Sequence, residues 1–168
     1  MKWSMIKHKE ISKEQLRRIA AIKDQHWPYG IKSQIQWSKD NTLPEDLHLF
    51  STKTDESLVA YLTLNNVHAV VDDFNMEVLG IGSVCVSLSV KGQGVGKELI
   101  NEANNVINKT NKLGLLLCKD SLVGFYKKCG WHTLKYKHAT VAKEDYNYNI
   151  MTLGSLNSCE RIIIDRNF

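Results

Sequence analysis

What the chain lacks narrows it first. No apolar run approaches the ~20 residues that a membrane-spanning helix needs, and the opening stretch MKWSMIKHKEISK has no apolar core of the kind a secretory leader carries. The four cysteines, Cys85, Cys118, Cys129 and Cys159, form no CxxC pair, and no metal site is expected. Two of them fall in strand-like apolar runs, where cysteine behaves as a small hydrophobe; a reducing, cytoplasmic setting follows. No dense Lys/Arg run is interleaved with aromatics, so nucleic acid is not an expected partner, and neither is a membrane. Internal repeats, low-complexity segments and linkers are also missing.

What is there fits one domain over residues 1–168, long enough for its own core and too short for two ordinary domains. Hydrophobic residues make up 43% and charged residues 24%, as in ordinary globular chains. The net charge of +4 is uneven. Residues 1–40 carry nine Lys/Arg against four acids, residues 41–90 one against seven, and residues 91–168 twelve against seven. The basic C-terminal part suits a phosphate-bearing ligand. The acidic middle suits a cationic acceptor, and a solvated face accounts for it equally.

The most informative stretch is VCVSLSVKGQGVGKEL, residues 84–99. An apolar strand runs into Gly92, Gly94 and Gly96, and a helix pattern starts. That arrangement aims backbone N–H groups and the positive end of a helix at one spot, a place for phosphate. The Walker pattern GxxxxGK[ST] fails, because Lys91 holds its first glycine position and Glu98 its Ser/Thr position. The dinucleotide fingerprint GxGxxG fails at Lys97. The glycines alone leave a ligand-free turn open. A second segment, Gly124 followed by FYKKCGW, comes after the short apolar run at residues 115–117.

Together these resemble the GNAT superfamily of N-acetyltransferases. KGQGVG matches that family's pyrophosphate loop [Q/R]xxGxG with Lys91 in place of Gln or Arg, and FYKKCGW matches its FYxxxG[FW] signature after the fifth strand. The likeness is good over about residues 77–134. A partial likeness to the aminoglycoside 2′-N-acetyltransferases lies in VKGQGVG, FYKKCGW and the late IIIDRNF.

Local patterns supply the elements. Residues 1–9 read as a strand. Ser12 with Gln15 forms a capping-box pattern ahead of a helix to about Gln25. The stretch His26-Trp27-Pro28-Tyr29-Gly30 breaks it, and a short helix covers residues 31–37. Strands at 47–50 and 58–64, a turn near Asp72-Asp73, and a strand at 76–86 follow. A helix over 97–108 buries Leu99, Ile100, Ala103, Val106 and Ile107. Next come a strand at 115–118, a helix at 121–129 ended by Gly130, an antiparallel pair at 131–137 and 148–153, and a strand at 161–165. The fold class is α/β (α+β) with helices on both faces of a mixed sheet. The resemblance implies a mostly antiparallel central sheet splayed between its fourth and fifth strands.

The resemblance also implies the chemistry. Acetyl-CoA is the co-substrate and a small-molecule amine the acceptor, with direct attack in a ternary complex. Backbone groups of Val84, Cys85 and Val86 would pair with the pantetheine. The loop Lys91, Gly92, Gln93, Gly94, Val95, Gly96 and Lys97 would hold the diphosphate. Tyr126 would be the general acid, since a phenol with a pKa near ~10 keeps its proton at pH 7. The strand carboxylate many relatives use has no counterpart in Leu79-Gly80-Ile81-Gly82-Ser83; Glu77, further back, is the candidate base through water. His68, Asp72, Asp46, His48 and His26 are alternatives, and an acyl-enzyme on Cys85 has no visible partner base. Trp37 and the aromatics at 26–29 lie where the family builds its acceptor pocket. Two other readings stay open: an acyl-CoA-binding sensor without turnover, and an acyltransferase with a longer acyl or carrier-protein donor. A homodimer is carried as an open partner state.

Overall fold

The computed structural model describes residues 1–168. In chain order the elements are β1 (Lys2–Lys7), α1 (Lys13–Asp24), α2 (Ile31–Asn41), β2 (Leu47–Thr52), β3 (Leu58–Val71), β4 (Phe74–Val86), α3 (Val95–Thr110), β5 (Leu113–Cys118), α4 (Asp120–Lys127), β6 (His132–Thr133), β7 (His138–Val141), β8 (Glu144–Asp145), β9 (Asn149–Leu153) and β10 (Arg161–Ile164). They form two compact units: Met1–Asn65, Gly82–Ala103 and Phe168 in one, Asn66–Ile81 and Asn104–Asn167 in the other. The chain passes between them inside β3, β4 and α3, and again before Phe168.

In the first unit, β1 pairs antiparallel with β2, and β2 with the first half of β3. Ser12 caps α1 with the expected capping box: its Oγ accepts from Gln15 N–H at 3.1 Å while Gln15 Oε1 accepts from Ser12 N–H at 2.9 Å. The inward stripe of α1 brings Ile19 and Ile22 onto Phe50, Tyr61 and Cys85. Helix α2 runs four residues past the expected Trp37, to Asn41. Its buried side chains are Gln34 and Ser38 rather than apolar, so the periodic signal that marks a helix was missing there.

A buried polar chain crosses this unit. His8 Nδ1 meets His48 Nε2 at 2.9 Å, and His48 Nδ1 meets Tyr61 Oη at 2.8 Å. Burial, together with the charges of His8 and Lys23, holds His48 down to about 3.

In the second unit, β4 pairs parallel with β5 from Val78↔Leu113 to Ile81↔Leu116, and the ladder ends there. Strand β5 pairs antiparallel with β9, and β9 with β6. On the other side, β3 pairs antiparallel with β10, β10 parallel with β7, and β7 antiparallel with β8. The sheet is therefore mixed and mostly antiparallel, as expected. The β7–β8 hairpin has no counterpart in the sequence reading. Its two-residue turn places Ala142 at φ 50° and Lys143 at φ 71°, residues that carry none of the Asn-Gly signal such turns usually show. Trp131 is fully buried and donates Nε1–H to Asn104 Oδ1 at 2.9 Å, while Asn104 donates to the Cys129 carbonyl at 2.8 Å. Gly114 leaves room for that indole; a Cβ there would lie 2.9 Å from Trp131 Cη2. Gly130, at φ 88°, makes the turn between α4 and the tryptophan.

Stability should respond to His48. The unfolded chain takes up a proton at this residue near pH ~6.5, whereas the folded chain does so only near 3. Between those values the unfolded state binds more protons, so acidification below about 6.5 destabilises the fold, by up to about 1.4 kcal/mol per pH unit. Thermal melts between pH 5 and 7 should fall with acid, and His48→Gln should flatten that slope.

Candidate functional site

The end of β4 is fastened from several sides. Its last carbonyl, Val86 O, accepts from His26 Nε2–H at 2.6 Å, Ser87 N–H bonds Val59 O at 2.8 Å, and Leu88 N–H bonds Gln25 Oε1 at 2.9 Å. The next residues turn through a short 3₁₀ segment, Leu88–Val90. Gln93 N–H then reaches Val90 O at 3.3 Å. Gly92 and Gly94 take φ 81° and 85°, the left-handed region glycine enters without strain. Helix α3 follows at Val95. Lys97 and Glu98 N–H both bond Gly94 O, whereas the amides of Gly94, Val95 and Gly96 have no acceptor within the chain. These three donors sit at the positive end of a sixteen-residue helix. Lys91, Gln93 and Lys97 are exposed around them. The residues present fit a diphosphate: open donors, no Cβ at Gly92 or Gly94, and two cations.

Upstream on β4, Cys85 points into the core, and burial pushes its thiol up to about 12 despite the opposing charge of Lys23. Val84 and Val86 are half-buried. Ser83 takes φ 53°, uncommon for a side chain with a Cβ, and breaks the regular pleat of the strand. The sequence reading did not find this feature, because nothing in Gly-Ser-Val announces it.

Beside Ser83 lies a cavity of about 400 Å³ walled by Trp27, Tyr29, Trp37 and Phe168, with Gln34 and Lys23 in its lining. Gln34 Nε2 donates to Trp27 O at 2.6 Å and fixes the loop that carries the first two aromatics. Gly82 permits the close approach of Phe168, whose carbonyl carbon a Cβ would strike. The aromatics here were expected at an acceptor pocket; Lys23 was not. It reads as one polar position on the apolar stripe of α1, yet only 4% of it is exposed. Its Nζ lies 4.2 Å from the centroid of the Trp37 ring, and it takes part in none of the ion pairs. Burial lowers it to about 8, so the ammonium still predominates at neutral pH. Burying an unpaired ammonium costs several kcal/mol. The ring face returns about 2 kcal/mol at most, and the C-terminal end of α1 about 1 kcal/mol. The cavity lining contains no Asp, Glu or His. A larger recess of about 560 Å³, lined by Arg18, Lys53 and Glu56 among others, holds no buried charge and no aromatic wall beyond Phe50. We therefore take the smaller cavity as the candidate acceptor site.

In the second unit, Tyr126 lies on α4, nearly buried and edge-on to Phe125 at 5.1 Å. Burial, with the Cys118 and Cys129 sulfurs, raises its hydroxyl well above the ordinary phenol value, and no side chain or backbone group in the chain hydrogen-bonds it. Glu77 sits at the start of β4, exposed, with its carboxylate 3.0 Å from His68 Nδ1; His68 Nε2 meets Asn75 Oδ1 at 3.1 Å. The Glu77 hydrogen bond raises His68. The other carboxylates and imidazoles proposed as bases are also engaged. Asp46 accepts from Leu43 N–H at 2.7 Å, Asp72 from the amides of Glu160 and Arg161, and His26 holds Val86.

Comparison with known proteins supplies the family and the fold. The family described as Acetyltransferase (GNAT) domain matches residues 45–133, just over half the chain, and the chain belongs to that family. The family's acyl donor is acetyl-CoA. Among solved structures, Escherichia coli ElaA is 23% identical with a TM-score of 0.67, covering 91% of this chain and 99% of its own. An acyl-CoA N-acyltransferase from Pseudomonas aeruginosa is 16% identical with a TM-score of 0.68, over 92% and 100%. The Escherichia coli GNAT family N-acetyltransferase YhbS, solved in complex with CoA, is 15% identical with a TM-score of 0.63, over 97% and 89%. These likenesses establish the shared fold. The family and fold support an acyl-CoA-dependent acyltransferase. No helix of this chain is long and apolar enough to cross a membrane.

Gly94 tests the loop geometry by itself. A Cβ there meets open space, so Gly94→Ala adds left-handed strain of about 1–2 kcal/mol and removes no contact. A melting temperature lowered by a few degrees is expected; an unchanged melt would show the loop taking another conformation.

Proposed function

We propose that residues 1–168 act as one domain that transfers an acetyl group from acetyl-CoA to the primary amine of a small molecule, by direct attack within a ternary complex, in the cytoplasm. The observation that carries this reading is the set of open amides at Gly94, Val95 and Gly96, together with an aromatic cavity at Ser83 on the strand that leads into their loop. Those amides, with Gly92, Gln93, Lys91 and Lys97, hold the diphosphate of the donor. Backbone groups of Val84, Cys85 and Val86 pair with the pantetheine amides as an added strand; the Val86 carbonyl is already taken by His26. Acetyl-CoA supplies an activated thioester. The acceptor nitrogen bonds to its carbonyl carbon, the C–S bond breaks, and the sulfur leaves as a thiolate.

Tyr126 supplies the proton to that thiolate. Its raised hydroxyl keeps the proton at neutral pH, and the absence of any partner within the chain leaves it available. Tyr126 lies in the other compact unit, so its assignment rests on its chemistry and on FYKKCGW. The acceptor loses its proton either to Glu77 through water or to solvent before it binds. Cys85 is a poor nucleophile, its buried thiol held at about 12, which favours direct attack over an acyl-enzyme.

Thiol release with acetyl-CoA and a panel of amines tests the reading; titration calorimetry with CoA tests the loop. CoA should bind to the wild type, and Gly94→Ala should weaken it about tenfold. Tyr126→Phe should lower kcat by about 10²-fold while CoA affinity holds. Glu77→Gln lowers kcat comparably if that carboxylate takes the proton; otherwise activity stays near wild type. Binding of CoA with no turnover of any amine would leave a sensor in place of an enzyme.

A further inference from the structure

We infer that the cavity beside Ser83 takes amines built on a flat aromatic ring, and that Phe168 sets how large that ring system is. The inference rests on the proposed acceptor site and names its substrate class. Trp27, Tyr29, Trp37 and Phe168 all line the cavity. None of these four rings stacks on another of them; the one ring neighbour among them is His26, 5.9 Å from Trp27. Trp27 and Trp37 leave 36% and 40% of their surface open and Tyr29 leaves 72%, in a chain that covers Trp131 to 1%. Open, unstacked aromatic surface around about 400 Å³ of space is a lining that a ligand ring completes, by offset or edge-on contact with several rings at once.

The walls are fixed rather than free to collapse on one another. Trp27 N–H bonds Lys23 O at 3.0 Å, Tyr29 N–H bonds Trp27 O at 2.8 Å, and Gly30 N–H bonds Asp24 Oδ1 at 2.7 Å. With the bond from Gln34 Nε2 to Trp27 O, these hold the loop between α1 and α2. Walls arranged in advance spare a ligand the cost of ordering them. Phe168 is the one aromatic wall that this loop and α2 do not supply. Its seat is Gly82, where a Cβ would strike the Phe168 carbonyl carbon and lie 3.1 Å from Thr63 Oγ1. Shortening Phe168 therefore enlarges the cavity and leaves the loop bonds in place. The Gln34 amide oxygen and the Ser83 hydroxyl, both in the lining, receive the amino end.

The test sets an aromatic ring against its saturated counterpart. The saturated ring is the more apolar, so burial alone favours it. With acetyl-CoA, kcat/KM for 2-phenylethylamine should nevertheless exceed that for 2-cyclohexylethylamine about tenfold. Phe168→Ala should raise kcat/KM for 2-(2-naphthyl)ethylamine relative to 2-phenylethylamine about tenfold, and Phe168→Leu should move the ratio part of the way. A second measurement needs no turnover. Tryptophan emission should shift saturably with 2-phenylethanol at a concentration about tenfold below that for 2-cyclohexylethanol, and Trp37→Phe should diminish the shift. Equal or inverted preference between the aromatic and saturated probes overturns the inference. A ring-size preference unchanged in both Phe168 variants, folded by circular dichroism, overturns its second half. If no amine turns over while 2-phenylethanol binds with the stated preference, the acetyltransfer reading fails and the aromatic site stands. If amines turn over without that preference, acetyltransfer stands and the aromatic site fails.

Discussion

One tight turn organises the second unit of this molecule. Asp72 and Asp73, at φ 45° and 71°, join the two longest strands, β3 and β4. Asp72 Oδ1 accepts from the amides of Glu160 and Arg161, at 2.9 and 2.8 Å, and so ties the turn to the start of β10. The turn fixes the register between fourteen-residue and thirteen-residue strands. A slip of one residue would exchange every inward side chain for its outward neighbour. The first unit attaches β2 along the early part of β3, and the second attaches β5 and β10 near the turn. Cys85 faces the core of the first unit, and in the second the ladder to β5 stops at Ile81.

Polar groups in this chain are mostly committed, and that commitment shapes its chemistry. His48 is locked between His8 and Tyr61, His26 holds a strand end, Glu77 holds His68, and Asp46 and Asp72 hold loops. Each of these side chains resembles a candidate base until its partners are known. Lys23 and Tyr126 differ, for each is a largely buried residue whose polar head is engaged by no ion pair or side-chain hydrogen bond within the chain. Groups of that kind cost stability and are therefore the places to look for function.

Much of the fold could be read from residue pattern. The capping box at Ser12 and Gln15, the apolar stripe of α3, and the Asp72-Asp73 turn each rest on local chemistry that the rest of the molecule reinforces. The glycine loop was legible for the same reason, since Gly92 and Gly94 stand where the backbone needs positive φ. Other features depended on tertiary context. The last turn of α2 buries Ser38 in place of an apolar residue. The β7–β8 turn uses Ala142 and Lys143 in a conformation their side chains disfavour. Lys23 is the clearest case: on a helix wheel it is an ordinary polar residue, and only packing against Trp37 makes it an interior cation. The same holds for Ser83, whose backbone conformation has no signature in its neighbours.

The sulfur chemistry of the chain has a practical side. Cys85, Cys118 and Cys129 are buried and Cys159 is half-covered; none is bonded to another. Burial raises the Cys85, Cys118 and Cys159 thiols, which leaves little thiolate at neutral pH. A chromogenic disulfide added to follow the reaction therefore meets few competing groups on the folded protein, and the colour it develops reports the coenzyme's sulfur rather than the polypeptide's.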